Sequence, residues 1–197
     1  MNTVSRETQE RLSAYANLVR KWNPKINLVA PSTLDDLEDR HIADCMQLTA
    51  AVVDPKGKWV DIGSGGGFPG IVVAAAFQEC DLKIVLIESD QRKSTFLRTA
   101  IRELSLARTS VLTDRIEVAR PQNADHLSAR ALAALPELLG YCELHLETEG
   151  TAYFMKGRTW PEEVALAKRD WRFSVDAIPS ITDQEAAILR ISEVSHA

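Results

Sequence analysis

A glycine-rich segment between an apolar strand and a helix constrains the fold more than any other part of the chain. The predicted strand Lys58–Ile62 carries an acid, Asp61, one residue before its end, and five glycines then fall between positions 63 and 70. Glycine is required where a backbone turns with positive φ or lies against a ligand. In open α/β sheets such a site lies at the carboxyl end of a strand, before a helix, whereas a plain tight turn needs only one or two glycines. The segment therefore predicts a ligand site in an α/β sheet.

After residue 55 the chain alternates short apolar runs with helical patterns, which is typical of a parallel sheet with right-handed crossovers. The further predicted strands are Lys83–Ile87, Thr109–Leu112, His126–Ala129 and Thr151–Met155, with Arg172–Ile178 and Ala187–Val194 as a final antiparallel pair. The predicted helices are Pro69–Phe77, Gln91–Leu104, Leu135–His145 and Pro161–Trp171. This order predicts a doubly wound α/β fold with helices on both faces of the sheet.

Two helices are predicted before the sheet. In the first, apolar residues recur at helical spacing as far as Trp22, and Asn23-Pro24 is predicted to end it. A polar loop follows. The second helix is predicted to begin with Ser32 as its N-cap and to run to about Val53.

The composition is that of a globular protein, with 45% hydrophobic and 26% charged residues, which argues against disorder. A length of 197 residues suits one domain, with residues 1–54 as a helical extension and residues 55–197 as one compact unit. No apolar run approaches the roughly 20 residues that span a bilayer, and the start MNTVSRETQERL lacks the apolar core of a signal peptide. A cytoplasmic protein without a membrane partner is expected.

The cysteines and the net charge narrow the range of partners. Cys45, Cys80 and Cys142 are far apart and form no Cys-x-x-Cys motif, so neither a disulfide framework nor a metal site is expected. The formal net charge is −5, yet residues 55–130 carry 11 basic and 9 acidic groups. Because binding to phosphates needs only a local basic face, the negative total weakens the case for a nucleic-acid partner without excluding it.

Two adenosine-containing ligands fit the glycine segment. Gly65, Gly67 and Gly70 match the G-x-G-x-x-G motif that holds a dinucleotide pyrophosphate at a helix N-terminus. Asp61 would repel a pyrophosphate but attract an ammonium or sulfonium cation, and alternating glycines that begin two residues after an acid follow the S-adenosylmethionine pattern. At the end of the next predicted strand, Glu88 can accept both hydroxyls of an adenosine ribose. These residues favour S-adenosylmethionine over NAD.

The possible methyl acceptors are narrowed by elimination. Carbon-5 transfer to a pyrimidine uses a cysteine, usually after proline, and none of the three cysteines follows proline. Transfer to an exocyclic amine commonly uses an Asn/Asp-Pro-Pro-aromatic loop, where this chain has Ser128–Ala131. Transfer to a hydroxyl needs a base, for which Lys156 is the one obvious candidate. Guanine N7 releases no proton on methylation and fits what remains, although elimination alone leaves the substrate open.

Eight short segments match one known enzyme family in order. They are Lys25–Leu28, Arg40–Asp44, Asp61–Gly70, Glu88-Ser89, Arg92-Lys93, Arg115–Glu117, Ala129–Ala131 and Lys156-Gly157. On these segments the chain resembles the RsmG (GidB) family over nearly its whole length. The resemblance implies a Rossmann-like class I methyltransferase fold with a seven-stranded, mostly parallel sheet. It also implies transfer of a methyl group from S-adenosylmethionine to N7 of a guanine in the 530 loop of 16S rRNA, within the small ribosomal subunit or its precursor.

The resemblance assigns cofactor contacts to the glycine segment and the strand ends. Gly63 and Phe68 would line the methionine side of the cofactor. Glu88 would bind the ribose, and Ile116 and Glu117 would flank the adenine. Since the family has a small residue where this chain has Ile116, a backbone contact is expected there. The complete set of expected cofactor-binding residues is Asp61, Gly63, Gly65, Gly67, Phe68, Glu88, Ser89, Ile116, Glu117 and Arg130.

The resemblance places Arg130 after the fourth strand at the mouth of the active site. The other expected roles follow from position. Asn27, beside Pro24, is either a turn residue or a contact to the target base. Arg115 lies on a loop at the carboxyl edge of the sheet, and Lys156 follows an apolar strand. The expected catalytic residues are Arg130, Asn27 and His41, and the expected RNA contacts are Arg115 and Lys156.

His41 lies one helical turn from Asp44, so a structural histidine–carboxylate pair and a functional histidine both stay open. The carboxyl-terminal Ser195–Ala197 lacks the basic residues with which the family often ends.

Two other functions stay open on the sequence. Because a fold does not determine its substrate, the same sheet suits a methyltransferase that acts on a small molecule or a protein, and the acidic total charge favours this slightly. A non-catalytic RNA-binding or ribosome-assembly factor would keep a cofactor pocket without turnover. A monomer is expected.

Overall fold

The computed structural model describes residues 4–197 and contains a seven-stranded sheet with helices on both faces. The strands are β1 (Gly57–Ile62), β2 (Leu82–Ile87), β3 (Thr109–Leu112), β4 (Ala124–Arg130), β5 (Leu146–Lys156), β6 (Trp171–Pro179) and β7 (Ala187–His196). The α-helices are α1 (Arg6–Ile26), α2 (Ala43–Ala50), α3 (Gly70–Ala76), α4 (Gln91–Glu103), α5 (Leu135–His145) and α6 (Trp160–Ala167). Residues 1–3 lie outside the described residues; they begin the segment MNTVSRETQERL, from which a cytoplasmic location is predicted.

The strand order is β3-β2-β1-β4-β5-β7-β6. The first five of these strands are parallel, and β7 runs antiparallel to both β5 and β6. The predicted parallel sheet and its final antiparallel pair are therefore confirmed. The strand order reverses between β1 and β4, and ligands of open α/β sheets bind outside the carboxyl ends of the strands at such a switch point.

The core is divided between the two faces of the sheet. On one face α1, α2, α3 and α4 pack around large buried side chains that include Tyr15, Trp59 and Phe96. On the other face α5 and α6 pack around Leu139, Phe154 and neighbouring apolar residues. Because α1 shares a continuous core with the helices of the sheet, the extension is built into the fold, and a boundary at residue 54 stays a prediction.

The predicted end of the first helix at Asn23-Pro24 is wrong. Helix α1 continues through Pro24 to Ile26 and ends with Asn27 in the left-handed region, at φ +47°. Proline removes one backbone donor. Trp22 and Ile26 continue the apolar face that packs on the core, and this packing keeps the last turn helical.

The predicted N-cap at Ser32 is also wrong. Pro31–Thr33 forms a turn of 3-10 helix, and one turn of π-helix over Leu37–Ile42 precedes α2, which ends at Ala50 rather than near Val53. Leu37 is fully buried, so the chain reaches the core only after the polar residues that follow Ser32. Single turns of π-helix are frequent at functional sites, and this one carries His41.

Other boundaries differ by a few residues. Helix α3 begins at Gly70, one residue after the predicted start, and α6 ends at Ala167 because Trp171 already belongs to β6. Strand β5 is longer than predicted and starts at Leu146.

Within residues 4–197, no helix combines the length and the apolar character needed to cross a bilayer. The same residues contain no group of three or more His, Cys, Asp or Glu side chains arranged to hold a metal ion.

Candidate active site

A cavity of about 610 Å3 lies at the carboxyl ends of the strands around the switch point, a size typical of small-molecule sites. The predicted site residues that line it are His41, Gly63, Gly65, Phe68, Glu88, Ser89, Arg115, Ile116, Glu117 and Arg130. The predicted residues that are not part of its lining are Asn27, Asp61, Gly67 and Lys156. The fold thus brings most of the predicted set together from segments that are far apart in the sequence.

The glycine loop between β1 and α3 has one open position and one packed position. At Gly65 φ is +54°, and a Cβ there would have no heavy atom nearer than 3.8 Å. At Gly67 φ is +90°, and a Cβ would lie 2.6 Å from Ile71 and 2.9 Å from the Tyr15 hydroxyl oxygen. The Tyr15 hydroxyl donates a hydrogen bond to the carbonyl oxygen of Gly66. The bare backbone at Gly65 therefore leaves room for a ligand, whereas Gly67 is required by close packing against α1.

The Glu88 carboxylate joins the end of β2 to the glycine loop. It is 7% exposed, and its oxygens accept hydrogen bonds from the backbone N–H groups of Gly65 and Asp90, both at 2.7 Å. Each carboxylate oxygen keeps a further lone pair. The side chain is thus oriented by the loop and is still able to accept hydroxyl groups, which supports the predicted ribose contact.

Acidic side chains outnumber basic ones around the cavity. The acidic lining residues are Glu88, Asp114, Glu117 and Glu137, and the basic ones are Lys93, Arg115 and Arg130. With four carboxylates and three cations, the lining offers no excess of positive charge for a pyrophosphate.

Asp61 is buried within the sheet instead of lying in the cavity wall. It is 0% exposed, and its Oδ1 accepts a hydrogen bond from Ser128 Oγ at 2.6 Å. Ser128, on the neighbouring strand β4, accepts in turn from Trp59 Nε1 at 2.8 Å. The second oxygen, Oδ2, has no hydrogen-bond partner among residues 4–197. Burial raises the pKa of Asp61 to about 6.

We expect the stability of Asp61→Asn relative to the wild type to rise by about 3 kcal/mol as the pH rises from the ordinary pKa of the carboxyl to its raised pKa of about 6. The amide N–H group that replaces Oδ2 has no acceptor and adds a cost that does not vary with pH. The pKa of Asp61 is about 6 in the fold and ordinarily 3.8, and each pH unit between these values costs roughly 1.36 kcal/mol of stability. This cost of the charge is absent below the ordinary pKa and complete above the raised one, so the relative stability of the variant falls as the pH falls through 6. Denaturant unfolding across this range measures it. Asp81→Asn, which alters a carboxylate that is 95% exposed, is the control. A relative stability of Asp61→Asn that does not change with pH would contradict the argument.

Arg130, the last residue of β4, lies where the first cavity meets a second cavity of about 780 Å3, since it lines both. Its guanidinium lies over the Phe68 ring, 5.7 Å from the ring centroid. It donates hydrogen bonds to His41 Nδ1 and, at 3.4 Å, to the His41 carbonyl oxygen, and it lies 3.7 Å from Cys45 Sγ. The structure therefore holds a positive charge in one position between the two cavities.

His41 is neutral at physiological pH. It is 9% exposed, and burial, followed by the charges of Arg130 and Arg40, lowers its pKa to about 4. Its Nδ1 faces the Arg130 guanidinium and its Nε2 lies 2.8 Å from Thr33 Oγ1. With both ring nitrogens engaged, the imidazole is placed to orient Arg130 and not to transfer a proton.

The structural pair between His41 and Asp44, one of the two alternatives that the sequence leaves open, is not formed. Asp44 instead accepts hydrogen bonds from the hydroxyls of Thr182 and, at 3.3 Å, Ser180 in the loop between β6 and β7. His41 lies in the π-helical turn, which contains more residues per turn than an α-helix. Residues three apart therefore do not share a face across this junction.

Lys156 and Asn27 lie outside the first cavity. Lys156 Nζ binds Glu163 Oε2 at 2.6 Å and the Ala133 carbonyl oxygen at 2.8 Å, and the lysine and glutamate side chains are only 11% and 17% exposed. Its charge is thus already paired beside the second cavity, and contact with RNA stays a prediction. Asn27 is exposed and forms the carboxyl-terminal cap of α1, so its predicted catalytic role also stays a prediction.

Several side chains that hold the site were not predicted. Tyr15 belongs to the apolar residues that recur at helical spacing in the first helix, and the signal that identifies it is that a buried tyrosine hydroxyl needs a hydrogen-bond partner. Thr33 and Ser128 give no comparable local signal. Tyr141 donates toward Glu137 Oε1 at 2.8 Å and lies 3.2 Å from Glu117 Oε1. Burial and these carboxylates raise the pKa of Tyr141.

Comparison with known proteins decides the family. The family GidB, described as rRNA small subunit methyltransferase G, matches residues 8–189. The chain belongs to this family. A Paracoccus denitrificans (strain Pd 1222) relative named Ribosomal RNA small subunit methyltransferase G is 54% identical over 195 residues, which cover 99% of this chain and 100% of the relative. A Ruegeria pomeroyi relative with the same name is 50% identical over 195 residues, which cover 98% and 94%. The predicted GidB family, and with it the predicted methyltransferase class, is confirmed.

Solved structures show the same fold at low identity. A SAM dependent methyltransferase from Aquifex aeolicus matches with a TM-score of 0.62 and 13% identity, over 83% of this chain and 97% of that one. The glycopeptide N-methyltransferase MtfA, complexed with S-adenosylmethionine, matches with a TM-score of 0.63 and 8% identity, over 77% and 93%. The predicted Rossmann-like fold is confirmed, and S-adenosylmethionine is the cofactor of this GidB-family enzyme.

Proposed function

We propose that this GidB-family enzyme methylates N7 of a guanine in the 530 loop of 16S rRNA, in the small ribosomal subunit or its precursor. The observation that carries the proposal is the meeting of two cavities at Arg130. The first fits the cofactor, and the second, at about 780 Å3, has room for a nucleotide beside it. A base that reacts inside such a site must first leave its stack, which requires a pocket of this kind.

Residues of the first cavity would hold the cofactor. S-Adenosylmethionine, when bound, supplies a methyl group on a positively charged sulfur. Gly63, Gly65 and Phe68 are the residues we expect along its methionine part, and Glu88 would accept the ribose hydroxyls. The expected adenine contact is the backbone at Ile116, whose carbonyl oxygen is held by His145 Nε2 at 2.9 Å. This bond fixes the segment although the Ile116 side chain is bulky.

The side chains around Arg130 favour an acceptor that loses no proton. His41 is neutral and both of its nitrogens are engaged. Burial raises the pKa of the Cys45 thiol to about 12, and Lys156 is paired with Glu163. Guanine N7 carries an in-plane lone pair and no proton, so orientation of the two partners is sufficient for transfer. This supports N7 over a hydroxyl or a pyrimidine carbon.

Arg130 would bind the target nucleotide. Its guanidinium carries donors only, and guanine O6 and the backbone phosphates are acceptors that such a fork binds well. Phe68, beneath the guanidinium, and His41, beside it, limit its movement. Arg130 would thus orient the base in the second cavity toward the first, and Arg115, exposed at the rim of the first cavity, would contact RNA phosphates.

The proposal is tested by methylation of 30S subunits from cells that lack this gene. With the purified protein and tritiated S-adenosylmethionine, we expect about one methyl group per subunit, mapped by mass spectrometry to N7 of a guanine in the 530 loop. Methyl incorporation into a metabolite or protein fraction instead would point to another methyltransferase class. Cofactor binding without any incorporation would point to an assembly factor.

A further inference from the structure

We propose that Thr33 is a positioning residue for methyl transfer, because through His41 it holds the Arg130 guanidinium where the two cavities meet. The proposal rests on the proposed function, since Arg130 is the group that would face the target nucleotide. Thr33 itself lines neither cavity. It would therefore act only through His41.

The directions of three hydrogen bonds follow from the donors and acceptors that are present. A guanidinium has no acceptor, so Arg130 must donate to His41 Nδ1. A neutral imidazole whose Nδ1 accepts carries its proton on Nε2, and this proton lies toward Thr33 Oγ1 at 2.8 Å. The Thr33 hydroxyl then donates its own proton to the Ala30 carbonyl oxygen at 2.9 Å. The three bonds form one relay with a single direction, from Arg130 to the backbone of Ala30.

Thr33 selects the histidine tautomer that Arg130 requires. If the His41 proton were on Nδ1, it would oppose the guanidinium N–H groups. With valine at position 33, the Nε2 proton of His41 would have no acceptor. His41 is only 9% exposed, and burying an unsatisfied donor is unfavourable. The acceptor at Thr33 therefore stabilises the ring orientation and the tautomer that hold Arg130.

The far end of the relay is fixed independently by α1. Ala30 lines the cofactor cavity together with Leu28 and Val29. Asn23 Oδ1, in the last turns of α1, accepts hydrogen bonds from the backbone N–H groups of Leu28 at 2.7 Å and Val29 at 2.8 Å. The relay thus ties Arg130 to a wall of the cofactor cavity that is held in place by the amino-terminal helix.

Thr33→Val tests the proposal, with Thr33→Ser as the conservative variant. We expect Thr33→Val to lower kcat on 30S subunits about tenfold, while the Kd for S-adenosylmethionine stays within about twofold, and Thr33→Ser to retain activity within about threefold. The matched control is Thr95→Val, which removes a hydroxyl that donates to the Gln91 carbonyl oxygen at 2.8 Å on the exposed side of α4. Equal losses from Thr33→Val and Thr33→Ser, or from Thr33→Val and Thr95→Val, would overturn the proposal.

Two further readouts separate a positioning role from a structural one. In an Arg130→Ala background, Thr33→Val should cause no additional loss of kcat, because the group it positions is already absent. In the Arg130→Ala background, where no guanidinium faces Nδ1, nitrogen-15 NMR of the imidazoles should show His41 protonated on Nε2 when Thr33 is present and a mixture of tautomers when Thr33→Val is added. The NMR result does not depend on activity. A wild-type enzyme that fails to methylate 30S subunits therefore contradicts the proposed function, whereas identical tautomers in both proteins contradict the relay.

Discussion

Replacing Arg130 with alanine is expected to lower kcat for methylation of 30S subunits by about 100-fold or more, while the Kd for S-adenosylmethionine changes by less than about threefold. A misplacement of a reacting group by about 1 Å typically costs roughly two orders of magnitude in turnover, and Arg130 is the group that would orient the base. The Arg130 guanidinium is oriented by the two His41 acceptors and by the Phe68 ring. Its removal therefore eliminates a fixed group where the two cavities meet. Glu88, the carboxylate expected to bind the cofactor ribose, stays in place.

Two variants serve as controls for Arg130→Ala. Arg102→Ala removes an arginine that is 73% exposed and paired with Glu103, and kcat and cofactor affinity should both be unchanged. Arg130→Lys keeps the charge but loses the planar fork, so we expect an intermediate kcat. Steady-state kinetics and calorimetry, with circular dichroism as the check on folding, separate these outcomes. A larger loss of cofactor affinity than of turnover would show that Arg130 acts on the cofactor side.

Glu88→Ala is expected to weaken S-adenosylmethionine binding at least about tenfold. Hydrogen bonds to a charged acceptor contribute about 1.5–3 kcal/mol each, and about 1.4 kcal/mol corresponds to a factor of ten in affinity. The substitution would remove the acceptor for the ribose hydroxyls. It would also release the backbone N–H of Gly65, which the carboxylate now holds at 2.7 Å.

Calorimetric titration with S-adenosylmethionine measures this effect. Glu88→Gln keeps one acceptor oxygen but places an amide donor against a backbone N–H, so we expect a smaller loss of affinity than in Glu88→Ala. Glu103→Ala, at an exposed position near the end of α4, is the matched control and should bind normally. If Glu88→Ala binds with unchanged affinity, Glu88 has no role at the ribose.

The strands and the helices after residue 55 were predictable because they depend on local patterns. Short apolar runs specify β1, β2 and β3 to within one residue of their observed bounds. The predictions failed where packing overrides a local signal. Pro24 lies inside α1 because the apolar face continues to Ile26, and the helix expected from Ser32 begins at Leu37, where the chain enters the core.

The candidate site was predictable to the extent that it consists of strand ends. Gly63, Glu88 and Arg130 each end or follow a strand, and parallel strands bring these ends to one edge of the sheet. The same reasoning placed Asp61 at the cofactor, yet the sheet buries its carboxylate against Ser128. It also predicts Lys156 at the RNA; the structure pairs Lys156 with Glu163 of α6, and the RNA contact stays a prediction.

The order of residues alone determined that a strand, a glycine loop and a helix follow one another, and that a second acid ends the next strand. These are properties of neighbours in the chain, such as periodicity and the freedom of glycine to adopt positive φ. Tertiary structure alone decided which distant side chains meet. Tyr15 reaches Gly66 across 51 positions, Ser128 reaches Asp61 across 67, and Arg130 reaches His41 across 89. Strand register and the packing of α1 and the π-helical turn on the sheet create these contacts, and no local pattern specifies that packing.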